Sequence, residues 1–311
     1  MKTKISTINN KAKAVLLIAA LSGMYLLLSY FLVGFKMEQV YLVLLFIILY
    51  FLSKPTRKFI LGFLIFIVFW IIFDFMKAFP NYRFNSVSTS SLYFAEKKLF
   101  GINTGAGMLT PNEYWLLHKN SFLSILTGIF YLCWVPVPLV FAAWLFFKNK
   151  AQFFYFSFTF LLANLIGFAI YYIYPAAPPW YIQQYGFVVH FNTPGNSAGL
   201  AKFDELLHVT IFKSLYGHSS NVFAAMPSLH AAYPLIVLYY GIRNKLGLIN
   251  VLFAAITAGI WFSSVYNSHH YLLDVLAGIG CAVTAIIAFP LMVKNVNWAN
   301  AKMQQLIKIV S

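Results

Sequence analysis

Long apolar runs separated by short polar punctuation dominate the chain. A helix needs about 20 apolar residues to cross the hydrocarbon core. Runs that reach or approach this length fall near 14–34, 39–53, 59–76, 121–147, 152–174, 228–242, 248–266 and 270–293. The second and sixth are short, and the sixth contains Pro234, which lacks a backbone donor. The first follows Lys2, Lys4, Lys11 and Lys13. It outlasts the apolar core of a secretory signal, about 7 to 15 residues, and no small-x-small cleavage site follows, so it reads as a helix. The fold class predicted is all-α, a polytopic membrane protein with about eight transmembrane helices.

Two long segments, 77–120 and 175–227, interrupt the runs, and loops of this length in a compact domain are usually functional. In the first, Leu92, Phe94, Leu99 and Phe100 alternate with Glu96, Lys97 and Lys98, which suits a helix lying in the membrane interface. Thr110, Pro111 and Glu113 form a capping-box start for a second short helix carrying Trp115, Leu116 and Leu117.

Composition narrows the class. The 311 residues are 61% hydrophobic and only 9% charged, against roughly 25% charged in a soluble domain. A soluble enzyme, a disordered chain and a disulfide scaffold are excluded. The net charge of +15 comes from 22 bases against 7 acids. With the N-terminus in the cytoplasm, that side collects 14 bases and no acid, while the other receives 8 bases and all 7 acids. The positive-inside rule thus places both termini in the cytoplasm and both long segments outside. The basic charge orients helices, and no nucleic-acid partner is expected.

The same topology sorts the chemistry. His118, His190, His208, His218, His230, His269, His270, Asp74 and Asp274 all fall on the outer side, and the cytoplasmic loops are too short to hold a site. Cys133 and Cys281 lie in separate runs, and no C-x-x-C, H-E-x-x-H or G-x-x-x-x-G-K spacing occurs. The adjacent acids Asp204 and Glu205 read as solvated. No metal and no cofactor are expected.

One constellation remains. Met226-Pro227-Ser228-Leu229-His230 opens one run and Ser268-His269-His270-Tyr271-Leu272-Leu273-Asp274 opens another. Residues four apart share a helix face, so Asp274 is the natural partner of His270. A carboxylate inside a membrane helix is costly without such a partner. A hydrogen bond from one ring nitrogen to Asp274 fixes the tautomer and leaves the other nitrogen free to attack. His230 approaches the same pocket, and the helix N-termini offer free N–H groups to a phosphate.

Pro227-Ser228-Leu229-His230 with His270-Tyr271-Leu272-Leu273-Asp274 resembles the second and third signature motifs of the type 2 phosphatidic acid phosphatase superfamily. Tyr174-Pro175-Ala176-Ala177-Pro178-Pro179-Trp180-Tyr181 and the doubled His269-His270 look most like its inositol phosphorylceramide synthase branch. The resemblance implies a six-helix catalytic core over 59–293, preceded by a tail and two helices in 1–58 and followed by a cytoplasmic tail, 294–311. Phosphatases of the superfamily carry a Lys and an Arg-Pro pair in a first motif and an Arg six residues before the third-motif His. Here Lys77 and Arg83 lack the Pro, and the second position is Ser264. A phosphomonoester carries close to two negative charges and a phosphodiester one, so loss of the arginine clamp favours a phosphodiester donor.

The activity implied is transfer of a phospho-headgroup, by resemblance phosphoinositol from phosphatidylinositol, to a lipid alcohol such as ceramide through a phosphohistidine. His270 is the expected nucleophile, Asp274 its orienting carboxylate and His230 the acid and base. Ser228, His269, Lys77, Arg83, Trp180 and Tyr181 are the expected substrate contacts, with the Trp180–Tyr181 loop also a shield against water. Asn192, Asn196 and Asn221 are options for headgroup contact. The sequence names no protein partner. The absence of an Asn-x-Ser/Thr sequon fits a bacterial inner membrane with the site facing the periplasm. Two other readings stay open: a lipid phosphatase of the same superfamily, acting on phosphatidate, a polyprenyl pyrophosphate or a lipid A phosphate, and a lipid transporter.

Overall fold

A chain in hydrocarbon must satisfy its backbone N–H and C=O groups within itself, and each long apolar run is accordingly helical. The computed structural model describes residues 2–105, 107–217 and 221–311; His218 lies outside the described residues. Among the described residues, six stretches are long and apolar enough to cross a membrane: Ala12–Val33, Lys54–Ala78, Ser121–Lys148, Lys150–Ile173, Ile249–Tyr266 and Leu272–Asn295. Met37–Leu52, of 16 residues, is a shorter apolar helix, and the run near 228–242 forms the 15-residue helix Leu229–Arg243. The protein is an all-α integral membrane protein.

The chain divides into two compact units, Met1–Phe79 with Lys308–Ser311, and Pro80–Ile307. The first holds α1 (Lys2–Val33), α2 (Met37–Leu52) and α3 (Lys54–Phe75). Ser53 caps α3 through Thr56, with Pro55 in its first turn. The sequence drew a boundary at residue 58, but α3 packs along α2 and so belongs to this unit. Gln39 is buried and its Nε2 donates to the Gly34 carbonyl. Many apolar side chains here, among them Leu16, Leu17 and Phe31, are exposed, as lipid-facing residues are.

In the second unit the run at 121–147 forms two helices rather than one, α6 (Ser121–Leu132) and α7 (Pro136–Lys148). Pro136 cannot donate to the Leu132 carbonyl, so the ladder stops and restarts with proline in the first turn. α8 (Lys150–Ile173), α12 (Leu229–Arg243), α13 (Ile249–Tyr266) and α14 (Leu272–Asn295) complete the bundle, with α12 packed against α7, α8, α13 and α14. Polar pairs tie helices together inside it: the Tyr233 hydroxyl donates to Asn164 at 2.5 Å, and the Trp261 indole donates to the Ala231 carbonyl at 3.0 Å. Gly278 permits the tightest approach, because a Cβ there would collide with the Ser228 carbonyl. The tail expected beyond 294 contains another helix, α15 (Asn297–Val310).

The two long segments fold over the end of the bundle where α13 ends and α12 and α14 begin. They carry α4 (Ser90–Phe100), a ribbon of β1 (Ile102–Thr104) and β2 (Gly107–Leu109), α5 (Pro111–Leu117), α9 (Pro179–Tyr185), α10 (Ala201–Leu207) and α11 (Ile211–Gly217). The Thr110 hydroxyl accepts the Glu113 N–H while Glu113 receives the Thr110 N–H at 2.7 Å, so the capping box forms as expected. Asp204 is a correction. It is buried and accepts the N–H groups of Phe212 and Lys213 at the start of α11, whereas Glu205 is exposed and pairs with Lys202.

Candidate active site

The turn 267–271 between α13 and α14 is fixed largely by backbone hydrogen bonds. The Ser264 carbonyl accepts the N–H groups of His269 and His270, both at 3.0 Å. Asn112, fully buried, donates to the carbonyls of Val265 and His270 at 2.8 and 2.9 Å. The Trp180 N–H donates to Ser268 and the Gly199 N–H to Asn267, each at 3.0 Å. At the facing helix, the Ser228 N–H donates to the Asp274 carbonyl at 2.8 Å, which joins the start of α12 to the first turn of α14.

The structure brings His230, His270 and Asp274 together. His270 Nδ1 lies 2.9 Å from the Ala225 carbonyl oxygen. A carbonyl only accepts, so Nδ1 carries the hydrogen and Nε2 the lone pair. That Nε2 is 3.1 Å from His230 Nδ1, which therefore donates. The pairing expected between His270 and Asp274 is present as a longer contact, with the Ala225 carbonyl the nearer acceptor. Asp274 Oδ2 stands 3.6 Å from Nδ1 and instead accepts the Tyr271 N–H at 2.8 Å, capping its own helix. The carboxylate still lies one turn below the imidazole, and its Oδ1 is buried without a hydrogen bond among the described residues.

The open helix N-terminus expected to hold phosphate is also absent at α14. Its Leu272 and Leu273 N–H groups point to the two oxygens of Glu96, at 2.9 and 3.0 Å. Glu96 has no solvent exposure, and burial pushes its carboxyl up to about 7. The sequence placed this residue on the polar face of an interfacial helix. α4 does form, but its acid turns inward because backbone donors 176 residues away need an acceptor.

His269 belongs to the same turn. Its Nε2 meets the Ser197 carbonyl at 3.0 Å, and its ring stacks with those of Tyr131 and Tyr216 at 5.5 and 4.5 Å. Burial, then the neighbouring His270, holds its pKa down to about 3, so it is neutral. Tyr131 also faces His230 at 5.1 Å, and Trp134 meets His230 edge-on at 4.5 Å. Sequence reasoning missed this aromatic wall, since stripes of Tyr and Trp in apolar runs read as core.

The remaining expected contacts are dispersed. Lys77 pairs with Asp74 at 2.9 Å in the first compact unit. Arg83 is exposed at the end of a short turn, Asn81–Arg83. Trp180 and Tyr181 are buried in a cluster with Ala177 and Phe223; the Tyr181 hydroxyl is committed to the backbone of Val188 and His190. Ser228 is buried, and its hydroxyl makes no hydrogen bond among the described residues. Asn192 accepts the Tyr82 hydroxyl from the other long segment and Asn196 accepts the Ala198 N–H of its own loop, whereas both polar atoms of the Asn221 amide are buried without partners among the described residues. One cation went unnoticed. Lys119 borders a cavity of about 360 Å³ together with Gly199 and Lys202, forms no ion pair among the described residues, and is pulled down in pKa by burial.

The centre is a pair of facing histidines, one with a buried carboxylate beside it, at one end of an apolar helical bundle. The family model described as the PAP2 superfamily matches residues 102–288, and the chain belongs to that superfamily. It is 45% identical over 279 residues to the phosphoinositol dihydroceramide synthase of Bacteroides thetaiotaomicron, a match covering 89% of this chain and 92% of that protein. It is 31% identical over 216 residues to the inositol phosphorylceramide synthase catalytic subunit of Saccharomyces cerevisiae, covering 67% and 51% of the two chains. With the inositol phosphorylceramide synthase of Candida albicans the figures are 30% over 178 residues, and 53% and 37%. The chain thus spans about half or less of these fungal proteins. No solved structure matches it.

Proposed function

We propose that the protein transfers phosphoinositol from phosphatidylinositol to a ceramide-type lipid alcohol. The observation that carries this reading is the paired imidazole geometry, with the His270 lone pair held against the His230 N–H at 3.1 Å and the Asp274 carboxylate one turn beneath. The names of the relatives support the choice of headgroup and acceptor.

In the first displacement His270 Nε2 attacks phosphorus and the bond to the diacylglycerol oxygen breaks. That oxygen takes the electron pair and a proton from Nδ1 of His230, which enters this step as the doubly protonated imidazolium and is left neutral. The phosphorylated imidazole is cationic, and its Nδ1–H remains between the Ala225 carbonyl and Asp274, whose negative charge stabilises it. In the second displacement the acceptor hydroxyl gives its proton to His230 and attacks phosphorus, the P–N bond breaks, and His270 recovers its lone pair. The intermediate hydrolyses if water enters, and the buried packing of Trp180 and Tyr181 around the turn supports a shielding role. The 14 bases of the cytoplasmic loops and tails favour a site facing the periplasm of a bacterial inner membrane.

Purified protein in vesicles should move labelled phosphoinositol onto ceramide. Release of free inositol phosphate with no labelled ceramide product would defeat the transferase reading in favour of a hydrolase. His270→Ala and Asp274→Ala should abolish transfer while the protein stays folded, and wild-type rates in both would remove the site.

A further inference from the structure

Beside the histidine pair, Tyr131 and Tyr216 have no assigned task, and His269, expected to touch substrate, has no stated ligand group. We propose that His269, Tyr131 and Tyr216 form a hydroxyl-binding cluster that holds a substrate alcohol group next to the reacting phosphorus. The proposal rests on the transferase reading for the identity of its ligand, but its geometry stands independently.

The His269 tautomer is fixed by structure. Its Nε2 reaches a carbonyl at 3.0 Å, so Nε2 carries the hydrogen and Nδ1 keeps an acceptor lone pair. The ring packs nearly parallel to both phenols, with interplanar angles of 24° and 26°. The two phenol oxygens are buried and face each other, with Ser264 also near that of Tyr131, yet neither makes a hydrogen bond of good geometry among the described residues. A buried hydroxyl left unpaired costs about 1 to 3 kcal/mol, so two such groups beside one oriented acceptor mark a place that a ligand completes. The low pKa of His269 keeps that acceptor unprotonated across the physiological range. Position follows from contact: the Tyr131 ring packs against both His269 and His230, and His230 touches His270.

The ligand chemistry is an alcohol that both donates to Nδ1 and accepts from a phenol. Two substrate groups have it, a ring hydroxyl of the donor headgroup and the hydroxyl of the acceptor. Carboxylates and phosphates fit poorly, since Nδ1 offers them only a lone pair.

The test uses the full chain in detergent micelles and three variants. Tyr131→Phe and Tyr216→Phe remove one oxygen each. His269→Gln keeps a donor for the Ser197 carbonyl but loses the Nδ1 acceptor, which separates ligand binding from support of the turn. Equilibrium binding of phosphatidylinositol and of ceramide is measured separately, with melting temperature as the folding control. Each variant should weaken one of the two lipids by about 3- to 10-fold, the loss expected for one neutral hydrogen bond. Loss for phosphatidylinositol, absent with phosphatidylglycerol, identifies the headgroup ring as the ligand; loss for ceramide alone identifies the acceptor. Wild-type affinity for both lipids in all three variants, or weakening only where the melting temperature falls with it, overturns the proposal. Turnover is read in parallel: intact binding without transfer would sink the transferase reading and leave the cluster standing.

Discussion

The carboxylate of Glu96 is the support on which the first turn of α14 rests, and removing it should be felt at the histidines. It receives two backbone N–H groups at 2.9 and 3.0 Å inside a site with no solvent access. Glu96→Ala leaves both donors unpaired, at about 1 to 3 kcal/mol each, or roughly 2 to 6 kcal/mol in total. Glu96→Gln retains one acceptor and turns an amide donor against the second N–H, so its cost should be roughly half of that. The sign of the pH dependence follows from the raised carboxyl. In the unfolded chain the group titrates near 4.5 and in the fold near about 7, so the native state holds the extra proton between these values. Stability is then fully present below about 4.5 and declines as pH rises through 7, by about 3 kcal/mol for a difference of this size. Thermal unfolding in micelles at pH 5, 6, 7 and 8, paired with transfer rates, reads both effects. Across this series the wild-type melting temperature should drop relative to that of Glu96→Gln, and Glu96→Ala should lose most of its activity. Equal pH slopes for wild type and Glu96→Gln, with undiminished transfer in Glu96→Ala, would refute the reasoning.

Other consequences are as direct. Asn112→Leu removes both bonds to the turn, from the Val265 and His270 carbonyls, and should lower kcat at least tenfold with little change in KM. Gly278→Ala places a methyl group against the Ser228 carbonyl and should lower the melting temperature and the transfer rate together, whereas Ala at Gly280, where the added carbon meets nothing, should change neither. His269 has its pKa depressed from 6.5 to about 3, so the stability it confers is present above 6.5 and is lost as pH falls toward 3. His269→Gln should remove that acid sensitivity from the melting curve.

Much of the architecture was legible because hydrocarbon imposes length and composition on helices. The run at 228–242 was read correctly as short despite Pro234, and Thr110 with Glu113 announced α5 through purely local chemistry. The break at Pro136 was equally local, yet the surrounding apolar residues masked it. Within the centre, the spacing of His270 and Asp274 put them on one face, but spacing is silent on competing acceptors. The Ala225 carbonyl, 45 residues away in sequence, takes the hydrogen bond that Asp274 was expected to receive. Glu96 and Asp204 were misread for a related reason, since each satisfies main-chain donors, and no side-chain pattern signals where those lie.

The bond from the Ser228 N–H to the Asp274 carbonyl, with the bare Gly278 beside it, means that the two histidines are spaced by main chain rather than by their side-chain neighbours. Reaction and recognition are thereby uncoupled. The aromatic walls and covering loops can change residue by residue to suit a different headgroup or a different lipid tail, while the distance between the imidazoles stays fixed. Such a centre can diversify its substrates without relearning its chemistry.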